Sequence, residues 1–193
     1  MKKLILATSN KHKLAEFKEM LAGYEILSLA DIGFNADIDE PGDTTDENAT
    51  IKATTIRKFC EKMGIDIPVI ADDSGLFIDA LAGAPGVHSA RYSGDHDDEA
   101  NRQKVLKNLE GKTNRDAHFE CAICYADGSG TKVVKGQTFG KITTKKIGDE
   151  SFGYDCIFYS TDLNKTFGEA SEEEKDSVSH RGRAVEELKK ILK

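Results

Sequence analysis

The amino-acid sequence predicts an α/β fold built on a mixed β-sheet. Short apolar runs alternate with helical patterns through the N-terminal half, and a hairpin signal interrupts this alternation in the C-terminal half. The chain has 193 residues, of which 38% are hydrophobic and 32% are charged. This length and composition predict one domain over residues 1–193, with two closely joined lobes and a substantial core.

The N-terminal half contains signals for strands and for capped helices. Leu14, Phe17 and Leu21 fall on one face of a helix that Ser9 or Asn10 can cap. A second helix follows a possible capping box of Thr44 and Glu47. The predicted elements are strand 3–7, helix 11–22, a strand near 24–29, a polar loop over 31–44, helix 46–63 and strand 68–71.

The C-terminal half combines one more capped helix with a hairpin. Asp97 is the expected cap of this helix and Gly111 lies just beyond its end. The turn residues Asp127–Gly130 separate two strand-like runs. The predicted elements are strand 76–78, a glycine-rich loop over 82–94, helix 97–109, strands 117–126 and 131–136, strand-like segments 139–143 and 154–159, a polar segment 160–176 and helix 177–192.

Composition and charge argue against several classes of protein. The net charge of −7 disfavours a nucleic-acid binder, which usually shows a basic stripe. The sequence shows no long apolar run, so a transmembrane helix and a signal peptide are not expected. It therefore predicts a cytoplasmic protein without a membrane partner. The four cysteines fit a reducing cytosol, and Cys121-x-x-Cys124, lying within an apparent strand, is interpreted as structural.

The most informative segment is Asp72-Asp73-Ser74-Gly75, which follows the apolar run Val69–Ala71. Open α/β sheets bind ligands at such strand ends, and neighbouring residues of a strand point to opposite faces. One aspartate could therefore reach a metal or a water molecule while the other holds a turn. The alternative is an ordinary turn, since Asp, Ser and Gly are turn formers.

Three further segments could bind a charged, flat ligand. Thr8-Ser9-Asn10 precedes a helix whose first turn carries Lys11 and Lys13. The helix dipole disfavours cations at this end, so a phosphate bound there would account for the two lysines. Phe152-Gly153-Tyr154-Asp155 could stack on a ring, and His180-Arg181 opens the last helix near Lys175. The alternatives are a capped helix with solvated lysines, an aromatic core strand with a bulge, and an ordinary surface histidine.

These segments together resemble the inosine triphosphate pyrophosphatases, the Ham1/RdgB-like family acting on non-standard purine nucleotides. The resemblance covers about residues 4–192 and rests on several motifs in the family's order. The motifs are Thr8-Ser9-Asn10-x-x-Lys13, Ala71–Leu76, Gly83-Ala84-Pro85-Gly86 with Ser89–Gly94, Phe152–Asp155, and Ser179-His180-Arg181-Gly182.

The resemblance implies an ITPase-like fold of the Maf/Ham1 type. This fold has an elongated mixed sheet with flanking helices and two lobes around a central cleft, usually in a homodimer. It also implies hydrolysis of ITP, dITP or XTP to the monophosphate and pyrophosphate, with Mg²⁺ as cofactor.

The resemblance also assigns roles to individual residues. Asp73 matches the general base acting on Mg²⁺-held water and is a magnesium ligand, and Glu40 matches a second magnesium-binding acid. The residues matched to substrate binding are Thr8, Ser9, Asn10, Lys13, Lys52 and Ser74 for the phosphates and their surroundings, and Phe152, Gly153, Tyr154, Asp155, Lys175, His180 and Arg181 for the purine pocket.

Two small departures and two alternatives accompany this assignment. Lys11-His12 fills positions that are often small in relatives, and Cys156 stands where proline often follows Phe-Gly-Tyr-Asp. Neither change removes a chemical group that the mechanism needs. The alternatives are a Maf-like pyrophosphatase for pyrimidine or modified nucleotides and a non-enzymatic nucleotide-binding module. The presence of the purine-pocket motif disfavours the first, and the presence of Asp73 and Lys13 disfavours the second.

Overall fold

The structure is a computed structural model that describes residues 1–94, 96–149 and 152–192. Within these ranges a mixed sheet of eight strands is flanked by five α-helices. The strands are β1 (Lys2–Leu6), β2 (Tyr24–Leu27), β3 (Val69–Ile78), β4 (Pro85–Gly86), β5 (Asp116–Asp127), β6 (Gly130–Ile142), β7 (Phe158–Ser160) and β8 (Lys165–Thr166). The helices are α1 (Lys11–Met20), α2 (Thr45–Lys62), α3 (Asp98–Asn108), α4 (Glu172–Val178) and α5 (His180–Ile191).

The strand order is β2-β1-β3-β5-β6-β7-β8, with β4 paired to β3. β1 is parallel to both β2 and β3, whereas the β6–β7 and β7–β8 pairs are antiparallel. The predicted mixed sheet is therefore confirmed. None of the helices in the described ranges has the length and hydropathy needed to cross a bilayer.

The chain divides into two compact units, and the boundary falls inside β3, between Asp73 and Ser74. The first unit comprises Met1–Asp73, Ala122–Lys135 and Ala184–Lys193, and the second comprises Ser74–Cys121 and Gly136–Arg183.

The core of the first unit forms where α2 packs on alternate residues of the central strands. Ile5 and Ala7 follow the odd positions of β1, and Val69 and Ala71 continue the same face on β3. Ala49, Ala53, Ile56 and Cys60 of α2 cover this face. Cys124 is buried in this core and Cys121 is also buried, and both are outside disulfides, as the structural interpretation of the Cys-x-x-Cys motif predicts.

The core of the second unit is rich in aromatic side chains. Phe119 lies between Phe158, at a ring-centroid distance of 4.7 Å, and His180, whose ring is stacked on it at 4.8 Å. Leu76 and Val105 belong to the same buried cluster. This core supports the start of α5, on which His180 and Arg181 lie.

The predicted helix caps are confirmed. The side chain of Asn10 accepts hydrogen bonds from the backbone N–H groups of His12 and Lys13, and Asp97 caps α3 through Ala100. Thr44 and Glu47 form the predicted capping box at α2.

Four element predictions are wrong in part. Segments 131–136 and 139–143 are not separate strands, because β6 runs without interruption over Gly130–Ile142. The acidic segment is not a turn between strands 68–71 and 76–78, because β3 runs without interruption from Val69 to Ile78. The last helix is two helices separated at Ser179, and the polar segment before it contains β8 and most of α4. The strand expected at 154–159 begins only at Phe158, because Asp155–Ile157 forms a 3₁₀ turn.

Candidate functional site

Asp72 and Asp73 are both buried and lie next to each other on β3. Side chains of consecutive strand residues point to opposite faces of a sheet. Accordingly, Asp72 pairs with Lys13 of α1 at 2.7 Å, whereas Asp73 pairs with Lys52 of α2 at 3.3 Å. The two neighbouring aspartates therefore form ion pairs with lysines of two different helices.

Lys52 lies at the centre of an acidic cluster made of Glu40, Asp72 and Asp73. Its ammonium group is 3.0 Å from a carboxylate oxygen of Glu40 and 3.3 Å from one of Asp73. The residue is only 8% exposed, so it faces neither open solvent nor the apolar stripe of α2. Burial opposes its charge, but the three acids outweigh burial and raise the pKa of Lys52.

The carboxyl group of Asp73 holds a proton more tightly than an exposed aspartate does. Burial is the main cause of its raised pKa, the cations of Lys52 and Lys13 oppose it, and the acids Glu40 and Asp72 add to it. An ion pair alone would lower this pKa. The net direction shows that the two lysines only partly offset the loss of hydration around Asp73.

Asn48 is a member of this cluster that the sequence analysis missed. Its side-chain amide donates to Asp73 at 3.4 Å and to the carbonyl oxygen of Gly42 at 3.3 Å. The available signal was spacing, because Asn48 precedes Lys52 by four residues on α2 and such residues share one face of a helix. A buried polar residue one turn from a predicted site lysine points to the same site.

The start of α1 places the predicted phosphate-binding residues beside this cluster. Thr8 is half-buried, and Ser9 and Asn10 are exposed. The hydroxyl of Thr8 accepts a hydrogen bond from the N–H of Asn10, and the Asn10 side chain already satisfies the N–H groups of His12 and Lys13. The Asn10 cap therefore already satisfies two of the N–H groups that an anion could meet at this helix start.

The predicted purine-pocket residues lie in the second unit. Lys175 is buried, pairs with Asp155 at 2.8 Å and lies over the ring of Phe152 at 5.1 Å. His180 and Arg181 are both buried at the first turn of α5, and Ser74 is half-buried on β3.

Tyr154 has a structural position within the predicted pocket segment. Its side chain is buried and its hydroxyl donates to the carbonyl oxygen of Ser89 at 2.6 Å. Burial raises the pKa of Tyr154, so the hydroxyl remains a donor at neutral pH. Tyr154 therefore anchors the segment, while its neighbours Phe152 and Asp155 contact Lys175.

The structure brings together two groups of the predicted residues. The acids and lysines with the start of α1 belong to the first unit, and the aromatic and basic residues belong to the second. The first group can hold a cation and phosphate oxygens, and the second offers donors and a ring face to a flat polar ligand.

Comparison with known proteins relates the entire chain to one family. The model of the Ham1 family matches residues 4–191. A dITP/XTP pyrophosphatase of Bacillus subtilis (strain 168) is 48% identical over 198 residues, which cover 100% of this chain and 98% of the relative. A protein of the same name from Clostridium perfringens is 45% identical over 200 residues, with the same coverage.

Solved structures show the same relation. The Ham1 protein of Staphylococcus aureus has a TM-score of 0.88 at 39% identity, covering 99% of this chain and 98% of that one. A HAM1 protein from Coxiella burnetii has a TM-score of 0.87 at 38% identity, covering 100% of this chain and 98% of that one.

Proposed function

The chain belongs to the Ham1 family, and we propose that it hydrolyses dITP, ITP and XTP to the nucleoside monophosphate and pyrophosphate. It is a hydrolase of acid anhydrides that clears non-standard purine nucleotides from the nucleotide pool. The observation that carries this proposal is the cluster in which the half-buried Glu40 and the buried Asp73 share the ammonium group of Lys52, in a chain related over its full length to dITP/XTP pyrophosphatases.

The carboxylates of Glu40 and Asp73 fit Mg²⁺. Magnesium takes oxygen ligands, commonly one or two carboxylates together with substrate phosphates. A lysine ammonium group lies within 3.3 Å of both carboxylates, which supports a preference for positive charge at this position. Mg²⁺ held there would offset the phosphate charge and lower the pKa of water that it holds.

The phosphates are assigned to the first unit. Thr8, Ser9 and Asn10 contribute polar groups at the start of α1, and Lys13 and Lys52 contribute positive charge. Both lysines are ion-paired to the aspartates of β3. An incoming triphosphate therefore competes with Asp72 and Asp73 for these two cations.

Asp73 is the proposed general base. A water molecule attacks the α-phosphorus, its proton passes to Asp73, and the bond to the bridging oxygen breaks so that pyrophosphate leaves. The buried carboxylate with its raised pKa is a better proton acceptor than an exposed one. The amide of Asn48 orients it by donating to the other carboxylate oxygen.

The second unit is assigned to the purine. Phe152 offers a ring face, while Lys175, His180 and Arg181 offer donors near Asp155. Hypoxanthine and xanthine carry a carbonyl oxygen at position 6, where adenine carries an amino donor. Lysine or arginine donors at this position would leave buried groups unpaired with adenine, which is the strongest basis for discrimination.

We also propose that the protein is a cytoplasmic homodimer. This rests on the family relation and on a composition that fits a soluble protein. Light scattering coupled to size exclusion measures the mass in solution, and a monomer at micromolar concentration would contradict the homodimer.

The reaction is tested by measuring the inorganic product over ITP, XTP, dITP, GTP, ATP and the pyrimidine triphosphates, with and without Mg²⁺. We expect pyrophosphate and the monophosphate from the first three substrates. Orthophosphate as the sole inorganic product, with the diphosphate remaining, would overturn the reaction type. A preference for pyrimidine nucleotides would favour the Maf-like alternative, and binding without turnover would favour a nucleotide-binding module.

A further inference from the structure

Both backbone polar groups of Gly153 are held by side chains of one helix, α3. The N–H of Gly153 donates to the carboxylate of Asp98 at 2.8 Å, and its carbonyl oxygen accepts from the guanidinium of Arg102 at 2.7 Å. Asp98 and Arg102 are four residues apart and therefore project from the same face of the helix. The N-terminal half of α3 thus forms hydrogen bonds with both backbone polar groups of one residue in the Phe152–Asp155 segment.

The segment needs such external support because it lies outside regular sheet pairing. Gly153 has a φ of 49°, in the left-handed region that favours glycine, and the next strand begins only at Phe158. Phe152 and Asp155 lie on either side of Gly153 and both contact Lys175. A shift of the Gly153 backbone would therefore move the ring and the carboxylate against that lysine.

Arg102 is itself held in place by a network of charges. It is only 4% exposed, and its Nε and Nη2 atoms donate to one oxygen of Glu99 at 3.2 and 3.0 Å. Lys146 and Gln103 donate to the same carboxylate. Hydrogen bonds from Gln103, Lys146 and Arg102, in that order of size, lower the pKa of Glu99 to about 2. Glu99 therefore stays ionised and keeps the guanidinium aimed at Gly153.

We infer that Asp98 and Arg102 are positioning residues for purine recognition, which act through the backbone of Gly153 and set the discrimination among purine bases. This inference rests on the proposed function. Neither residue needs to touch the substrate. Misplacement of a recognition group by about 1 Å can cost on the order of 10²-fold in rate. Loss of either hydrogen bond to Gly153 is therefore expected to change the selectivity measurably.

The test compares kcat and KM for ITP and ATP in Asp98→Ala, Arg102→Ala and Arg102→Lys. We expect the ITP-over-ATP ratio of kcat/KM to fall about tenfold or more in both alanine variants, mainly through a higher KM for ITP. Arg102→Lys should recover part of the ratio, because an ammonium group can still donate to the Gly153 carbonyl. Binding of IMP, measured by calorimetry, should weaken in the same order.

Arg115→Ala is the matched control. Arg115 also donates to backbone carbonyl oxygens, those of Leu109, Ile142 and Thr143, but at the opposite end of α3. Its loss should lower the melting temperature and leave the ITP-over-ATP ratio unchanged. An unchanged ratio in folded Arg102→Ala and Asp98→Ala, or an equal fall in Arg115→Ala, would overturn the inference. Failure of the proposed function itself would appear differently, as a wild-type protein without an ITP preference.

Discussion

Asp72 and Asp73 form different ion pairs because consecutive side chains of β3 point toward different helices. Asp72 meets Lys13 of α1, and Asp73 meets Lys52 of α2 together with Asn48. The two groups share burial and sequence context, so neither property separates their roles. The face of the sheet distinguishes the two aspartates, because the lysine that pairs with Asp73 also pairs with a second acid, Glu40.

Asp73→Asn should therefore remove the proposed general base while keeping the shape of the side chain. We expect kcat for ITP to fall about 10²-fold or more, the usual contribution of a positioned general base. Asp72→Asn is the matched control and should reduce turnover less. Near wild-type turnover by folded Asp73→Asn, with a larger loss in Asp72→Asn, would move the base to Asp72.

Lys13 and Arg181 should separate phosphate binding from base recognition. Lys13→Ala should weaken all triphosphates alike, since every substrate carries the same phosphates. Arg181→Ala should reduce the preference for ITP over ATP by about tenfold to a hundredfold, the equivalent of one charge-assisted hydrogen bond of about 1.5–3 kcal/mol. The ratios of kcat/KM decide this, and an unchanged ratio in Arg181→Ala would leave the residue a structural role only.

The helix starts were predictable because capping is a local property. Asn10, Thr44 and Asp97 each satisfy N–H groups two or three residues away, so the signal lies within a few letters of sequence. The same is true of the hairpin between β5 and β6. Local signals of this kind predicted most of the helices and strands and the positions of the site residues along them.

The acidic turn was not predictable because non-local pairing decides it. Asp, Ser and Gly favour turns in isolation, yet β3 pairs with β1 through Val69 and Ile70 and with β4 through Leu76 and Phe77. The lysines that offset the charges of Asp72 and Asp73 come from two helices elsewhere in the sequence. The pairing of Lys52 is non-local in the same way, because its acidic partners Glu40 and Asp73 lie outside α2.

Gly182 fixes the junction between α4 and α5 and therefore the position of His180 and Arg181. A Cβ at this residue would collide with the backbone oxygen of Asp176. Gly182→Ala should cost about 1–3 kcal/mol of stability, as overpacking does, and should lower the ITP-over-ATP ratio by displacing the start of α5. Gly23→Ala is the control, because nothing lies within 4 Å of its Cβ position. A normal melting temperature for Gly182→Ala would contradict this account.

The chain carries a net charge of −7 and nevertheless buries acids where a triphosphate is proposed to bind. The acids and lysines of this cluster could be predicted from motifs, whereas Asn48 was missed and the pairing within the cluster could not be predicted, because pairing depends on which helix faces which side of the sheet. The observed pairing has a consequence for folding. Because Lys52 and Lys13 form ion pairs with the acids in the first unit, we expect the fold itself to be independent of a divalent cation.

Removal of divalent cations should therefore separate activity from stability. We expect EDTA to abolish pyrophosphate release and to change the melting temperature by less than about 2–4 °C, the equivalent of about 1 kcal/mol for a protein of this size. In Lys52→Met, Glu40 and Asp73 lose their shared cation, so this variant should be less stable in EDTA and should be restabilised by Mg²⁺ in a concentration-dependent manner. Calorimetric scans of both proteins across a magnesium series measure this. Unfolding of the wild type in EDTA would contradict a fold that is independent of divalent cations, and a Lys52→Met variant that does not respond to Mg²⁺ would contradict Mg²⁺ binding by these carboxylates.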